Sequence, residues 1–241
     1  MTDLERRRAI LPFVPYIAVS LLHVGLLIAD HPLGGYATKQ LLMAALALAA
    51  VWLTWRLRPW PRGAMALLLI ALAASWVGDG AGLIFPGLPT LPVMILFFGI
   101  AHAAYIVLFW RAPGIRARRV PRWVLVYAGW WIVTLAIIGP HAGALLVPLA
   151  IYGVVLGGTA ALSPRFGPIS AWGGAFFLIS DTLIAVREFL PAPDWIDQLI
   201  MPTYALGQGL IVFAAVGLLR RRSVEADEAG HVGRGLEPRS E

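Results

Sequence analysis

Cysteine is absent from this chain, which removes disulfides, thiol catalysis and thiolate metal sites together. Charge is scarce: Asp, Glu, Lys and Arg make up 13% of the residues against 59% hydrophobic ones, and the mean hydropathy is +0.78. A soluble domain carries about 25% charged residues, so this composition excludes an ordinary globular protein and points to a polytopic membrane protein. There is a single lysine, Lys39. No long polar linker separates a second domain. No small-x-small cleavage site follows the first apolar run, although Glu5-Arg6-Arg7-Arg8 resembles the basic start of a signal peptide; the run is also too long for one, so an uncleaved first helix is expected.

What the sequence does have is eight long apolar stretches, at 11–30, 38–57, 63–85, 89–110, 121–139, 142–162, 168–189 and 198–219. A hydrocarbon core of about 30 Å takes roughly 20 helical residues to cross. The expected fold is therefore all-α, a bundle of eight transmembrane helices over residues 1–222, followed by a disordered charged tail at 223–241 that contains His231. Of the 19 Lys and Arg, 15 fall on one side of that topology, in the runs at Arg6–Arg8, Arg56–Arg62, Arg111–Arg122, Arg165 and Arg220–Arg222. Lys39 and Arg187 fall on the other. Both termini are then cytoplasmic, and the expected location is a multi-pass protein of the bacterial inner (plasma) membrane. Topology and anionic headgroups account for the pI near 10.3, and no nucleic-acid partner is expected from arginines spread over separate loops. Gly153 and Gly157 form a small-xxx-small pair suited to a close helix contact. A shift of 102 residues superimposes Asp79 on Asp181 and His102 on Tyr204, which hints at two parallel four-helix halves.

Ionisable groups at membrane depth are costly, so those inside the spans are the candidates for chemistry. At 1.5 Å per residue, Asp79 lies about 16 residues into the third span, Asp181 about 13 into the seventh, and His102 about 13 into the fourth. Tyr204 and Gln208 occupy the outer half of the eighth, and Lys39 opens the second at the outer interface. The pairs Ser75/Asp79, His102/Tyr105, Phe177/Asp181 and Tyr204/Gln208 each share a helix face, and polar faces must turn into the bundle. Gly78, Gly80, Gly173 and Gly174 beside the aspartates permit close backbone approach. His23 reads as a helix-contact histidine. Asp30, His31 and His141 sit at helix ends, and Arg187 and Glu188 at the outer end of the seventh span.

These residues belong to T-K-Q-L-L at Lys39, S-W-V-G-D-G-A-G-L at Ser75 to Leu83, F-F-G-I-A-H-A-A-Y at Phe97 to Tyr105, G-G-A-F-F-L-I-S-D-T-L-I-A at Gly173 to Ala185, and Y-A-L-G-Q at Tyr204 to Gln208. Five such pieces in order make the chain resemble the lysoplasmalogenase family of integral membrane proteins, the YhhN-like family, over nearly its whole length. The resemblance implies an enzyme, an ether hydrolase that cleaves the sn-1 vinyl ether of a lysoplasmalogen to a fatty aldehyde and a glycerophospho-base. Its partners would be a lysophospholipid substrate and membrane lipids. Vinyl-ether hydrolysis starts with protonation of the distal alkene carbon, and water then captures the oxocarbenium ion. Two carboxyl groups can divide that work, as they do in glycosidases. The expected catalytic residues are Asp79, Asp181 and His102, with Lys39, Ser75, Tyr105, Ser180, Tyr204 and Gln208 binding substrate. The reaction requires no metal or other cofactor, although two Asp and one His can hold a metal ion. Three alternatives remain at this level: a proton- or ion-coupled transporter using the same Asp/His cluster, a lipid-binding receptor-like protein, and a metal-dependent lipid amidase.

Overall fold

A computed structural model describes residues 9–31, 35–111 and 120–235, with side chains omitted for Tyr36 and 226–235. The arginines at 6–8 and 116–119, the His231 side chain and the last six tail residues therefore lie outside the description. Among the described residues there is no strand, and eight helices are long and apolar enough to cross a membrane. Their α-helical parts, extended in places by adjoining 3-10 turns, are α1 (Val14–Ile28), α2 (Tyr36–Thr54), α3 (Arg62–Asp79), α4 (Thr90–Arg111), α5 (Val126–Ile138), α6 (Leu146–Leu162), α7 (Pro168–Phe189) and α8 (Trp195–Gly235). Short 3-10 turns lead into α1, α5 and α6, and one helical turn, Ala81–Ile84, follows α3.

The bundle is turned inside out relative to a soluble protein. Leu21, Leu48, Trp52, Leu96, Ile132 and Trp172 are all exposed, whereas Ser75, His102, Ser180 and Gln208 are fully buried. Lipid solvates the former, and the latter must find partners within the protein because the bilayer core offers none.

Local sequence sets the helix ends. Gly167, at φ +106°, makes the turn from which α7 starts, with Pro168 at its first position, where a missing N–H costs nothing. Two turns later Gly173 and Gly174 bring α7 against two neighbours at once. A Cβ on Gly173 would stand 2.8 Å from the Ile211 backbone nitrogen of α8, and one on Gly174 3.0 Å from the Ala160 Cα of α6. This close packing fixes the depth and rotation of Asp181, two turns further along. The Gly153/Gly157 pair makes a close contact of another kind, since these positions receive the indoles of Trp131 and Trp130 from α5.

The most extensive packing is α7 along α8 and α3 along α4, and α4 against α6 is matched by α8 against α2. A shift of four helices interconverts these pairings, in keeping with the 102-residue echo. Two boundaries depart from the sequence reading: α3 ends at Asp79, with Gly80 breaking the expected 63–85 span, and α8 does not stop at Arg222 but continues through Gly235. The segment from Ser223 to Ala229 is rich in Glu and Ala, good helix formers, and Arg222 reaches Glu225 at 3.9 Å.

The arginine bias predicts that a reporter fused after Glu241 reads as cytoplasmic and one inserted near Gly87 as external. Two reporters on the same side would contradict both the number of spans and their direction.

Candidate functional site

The α3 face predicted from Ser75 and Asp79 meets the α8 face predicted from Tyr204 and Gln208 in two rungs. The Tyr204 hydroxyl donates to Asp79 Oδ2 at 2.7 Å, and Gln208 Nε2 donates to Ser75 Oγ at 2.9 Å. Matching i,i+4 spacings on two antiparallel helices make both rungs possible. Tyr105 of α4 closes the network by donating to Gln208 Oε1 at 2.5 Å. The other carboxylate oxygen, Asp79 Oδ1, lies 3.2 Å from Lys39 Nζ. Asp79 is thus met by a cation from α2 and a hydroxyl from α8, which is what a buried carboxylate requires.

Asp181 forms a second cell. Its Oδ2 accepts a hydrogen bond from the Tyr152 hydroxyl of α6 and lies 3.5 Å from His102 Nε2 of α4. That last contact has the length of an ion pair but not the geometry of a hydrogen bond. On its far side His102 meets the Thr159 hydroxyl, Nδ1 to Oγ1, at 3.1 Å. Among the described residues no side chain bonds both aspartates. One path between them by direct contact runs through rings: Tyr204 packs on Phe177 with centroids 5.5 Å apart, and Phe177 packs on His102 at 4.5 Å. Phe98 joins the same wall, edge-on to Tyr204 at 5.9 Å.

A cavity of about 80 Å³ opens beside the second cell, enclosed by α4, α5, α6 and α7 toward the arginine-poor end of the bundle. Its walls include Met94, Trp130, Trp131, Leu135 and Leu156. Asp181, flanked by Tyr152, is the only charged residue among those lining it. A separate, wholly apolar groove of about 490 Å³ lies between α1 and α8.

The residues predicted from sequence therefore fall into two groups. Lys39, Ser75, Asp79, Tyr105, Tyr204 and Gln208 make one connected network, and Asp181 with His102 makes the other. Only Asp181 of these reaches the cavity. Ser180 joins neither group, because its hydroxyl is spent on the Ile200 carbonyl of α8 at 3.0 Å. His23 is a helix contact, with Nδ1 2.7 Å from Thr38 Oγ1. Arg187 reaches Asp197 at 3.1 Å and so ties the turn between α7 and α8. Tyr152 and Thr159 are direct hydrogen-bonding neighbours of Asp181 and His102 that the sequence reading missed. Gln40 is a third omission: its amide is buried beside Gly80, and only its place in T-K-Q-L-L signalled it. Among the described residues no three His, Cys, Asp or Glu side chains gather in one place.

The Lys39–Asp79 pair makes a stability prediction. Lys39→Met leaves Asp79 buried without its cation and should cost about 3–5 kcal/mol, the usual price of orphaning a buried charge. Adding Asp79→Asn should recover much of that loss in thermal unfolding of the detergent-solubilised protein. Additive losses in the double variant would show that the pair is not coupled.

No curated protein and no solved structure matches this chain. The model of the YhhN family matches residues 35–215, a stretch that holds both aspartates, His102, Lys39 and all five sequence pieces identified above. The chain belongs to the YhhN family.

Proposed function

We propose that the protein is a membrane-embedded lysoplasmalogenase that hydrolyses the vinyl ether of a lysolipid by carboxylic-acid catalysis at Asp181. The observation that carries this reading is the position of Asp181, a carboxyl group on the wall of a mostly apolar cavity, with a histidine and a tyrosine hydroxyl beside it. An apolar chain fits such walls, and its vinyl ether would lie against the carboxyl group.

Tyr152 and His102 both address Oδ2, which leaves Oδ1 to face substrate. In the proposed reaction the Oδ1 proton passes to the distal alkene carbon and the C=C π pair forms the new C–H bond. The cation left on the adjacent carbon is shared with the ether oxygen. Water adds to that carbon, and one of its protons passes to the Asp181 carboxylate, directly or through His102. Asp181 then protonates the glycerol oxygen as it leaves as an alcohol, the hemiacetal hydroxyl returns its proton to Asp181, and the carbon keeps the water oxygen as an aldehyde. One water is consumed and Asp181 ends protonated as it began. Phe98, which lines the cavity, is an aromatic ring available to the cation. Asp79 is the second carboxylate, kept in place by Lys39 and Tyr204, and its negative charge favours the oxocarbenium ion across the aromatic wall. Lys39, whose side chain is 22% exposed, is the cation available to a headgroup phosphate.

Purified protein should release a fatty aldehyde from a lysoplasmalogen. Asp181→Asn should lower kcat by at least about 100-fold while the protein stays folded, since Asn is nearly isosteric and has no transferable proton. Turnover should slow in D₂O and be indifferent to chelators. Full activity in Asp181→Asn would overturn the assignment, and recovery of a chelated enzyme by Zn²⁺ would replace it with the amidase-like metal mechanism.

A further inference from the structure

Behind His102, on the side away from Asp181, stands a hydroxyl that nothing in the reaction touches. Thr159 Oγ1 has three polar neighbours: the Val155 carbonyl at 2.9 Å, the His102 carbonyl at 3.3 Å and His102 Nδ1 at 3.1 Å. Both carbonyls can only accept, and a threonine hydroxyl has one hydrogen. The Val155 carbonyl, one turn back on the same helix, is the usual acceptor for a helical threonine and is the shortest of the three contacts. With its hydrogen given there, Oγ1 can bond Nδ1 only by accepting from it. The reverse assignment makes one hydrogen bond where this one makes two, in a site where Thr159 and His102 are 1% and 0% exposed and water offers no replacement.

The other ring nitrogen agrees. His102 Nε2 is buried, has no hydrogen-bond partner and stands 3.5 Å from Asp181 Oδ2, which already accepts from Tyr152. An Nε2–H aimed at that oxygen would close to about 2.9 Å, the normal length of an N–H···O bond. Phe177 at 4.5 Å and Tyr152 at 5.6 Å hold the ring between them and oppose its turning over.

We infer that Thr159 is a positioning residue that holds neutral His102 as its Nδ1–H tautomer and so keeps Nε2 unprotonated beside Asp181. A base is thereby placed next to the acid, ready to take the proton of the attacking water once Asp181 has given its own to carbon. The second half of this statement rests on the proposed hydrolysis. The tautomer does not.

The test is the ¹⁵N spectrum of histidine-labelled full-length protein in detergent, with the His102 signals assigned by their loss in His102→Gln. Wild type should show a protonated Nδ1 and a bare Nε2, and Thr159→Ser, which keeps the hydroxyl, should show the same. Thr159→Val, close in shape but without the hydroxyl, should shift the ring toward Nε2–H. In the aldehyde assay Thr159→Val should lower kcat roughly 10–100-fold, the usual effect of removing the partner that orients a working histidine, with KM unchanged and Thr159→Ser near wild type. A wild-type ring that carries Nε2–H or both protons overturns the inference, as does an unaltered tautomer in Thr159→Val. A wild type with the expected spectrum but no aldehyde release would leave the tautomer standing and remove the hydrolase reading alone.

Discussion

A carboxylate in the hydrocarbon layer has to be met by charge and hydrogen bonds from the protein itself, and the two polar clusters around Asp79 and Asp181 answer that demand. Asp79 draws Lys39 from α2 and Tyr204 from α8, and Asp181 draws Tyr152 from α6 and His102 from α4. Each aspartate therefore gathers partners from two other helices. Helix packing in a membrane has no hydrophobic driving force behind it, so polar ties of this kind help to fix which helices are neighbours. Gly173 and Gly174 supply the complementary part by letting α7 approach α8 and α6 closely enough for the ties to form.

The two cells are related by the same shift of 102 residues that links the helix pairings. Asp79 bonds Tyr204 and Asp181 faces His102, so each aspartate is partnered by the residue equivalent to the other's partner in the opposite half. Such reciprocity is what a pseudo-twofold arrangement of two four-helix halves produces. The halves have diverged in chemistry. One cell is saturated, with a lysine and a phenol on its carboxylate and a Gln208-centred network around it. The other is open on one side to a cavity and holds a histidine whose Nε2 has no hydrogen-bond partner. In the proposed function this asymmetry separates a charge that organises the centre from an acid that reacts.

The spans and the aspartates were legible in the sequence because both follow from composition alone: length of apolar run, and cost of charge at depth. The faces were legible too, since Ser75/Asp79 and Tyr204/Gln208 did meet as two rungs. What was not legible was which helix stands beside which. Tyr152 and Thr159 look like ordinary residues of an apolar helix until α6 is known to lie against α4 and α7. Ser180 was misleading for the opposite reason, as it adjoins Asp181 in sequence but points about 100° away from it around the helix, toward Ile200. The sequence reading also gathered nine polar residues into one catalytic and substrate-binding set, whereas an aromatic wall of Phe98, Phe177 and Tyr204 stands between two separate cells. Helix α8 runs past the expected tail boundary at Arg222, because a charged Ala/Glu segment favours helix whether or not it is solvated.

The most direct test of carbon protonation by a fixed carboxylic acid is to run the hydrolysis in D₂O and reduce the aldehyde to its alcohol as it forms. A proton donor held on one wall of the cavity can reach only one face of the alkene. The product should then carry a single deuterium on the carbon next to the former aldehyde, in one configuration. A racemic label, or no label at that carbon, would contradict the account.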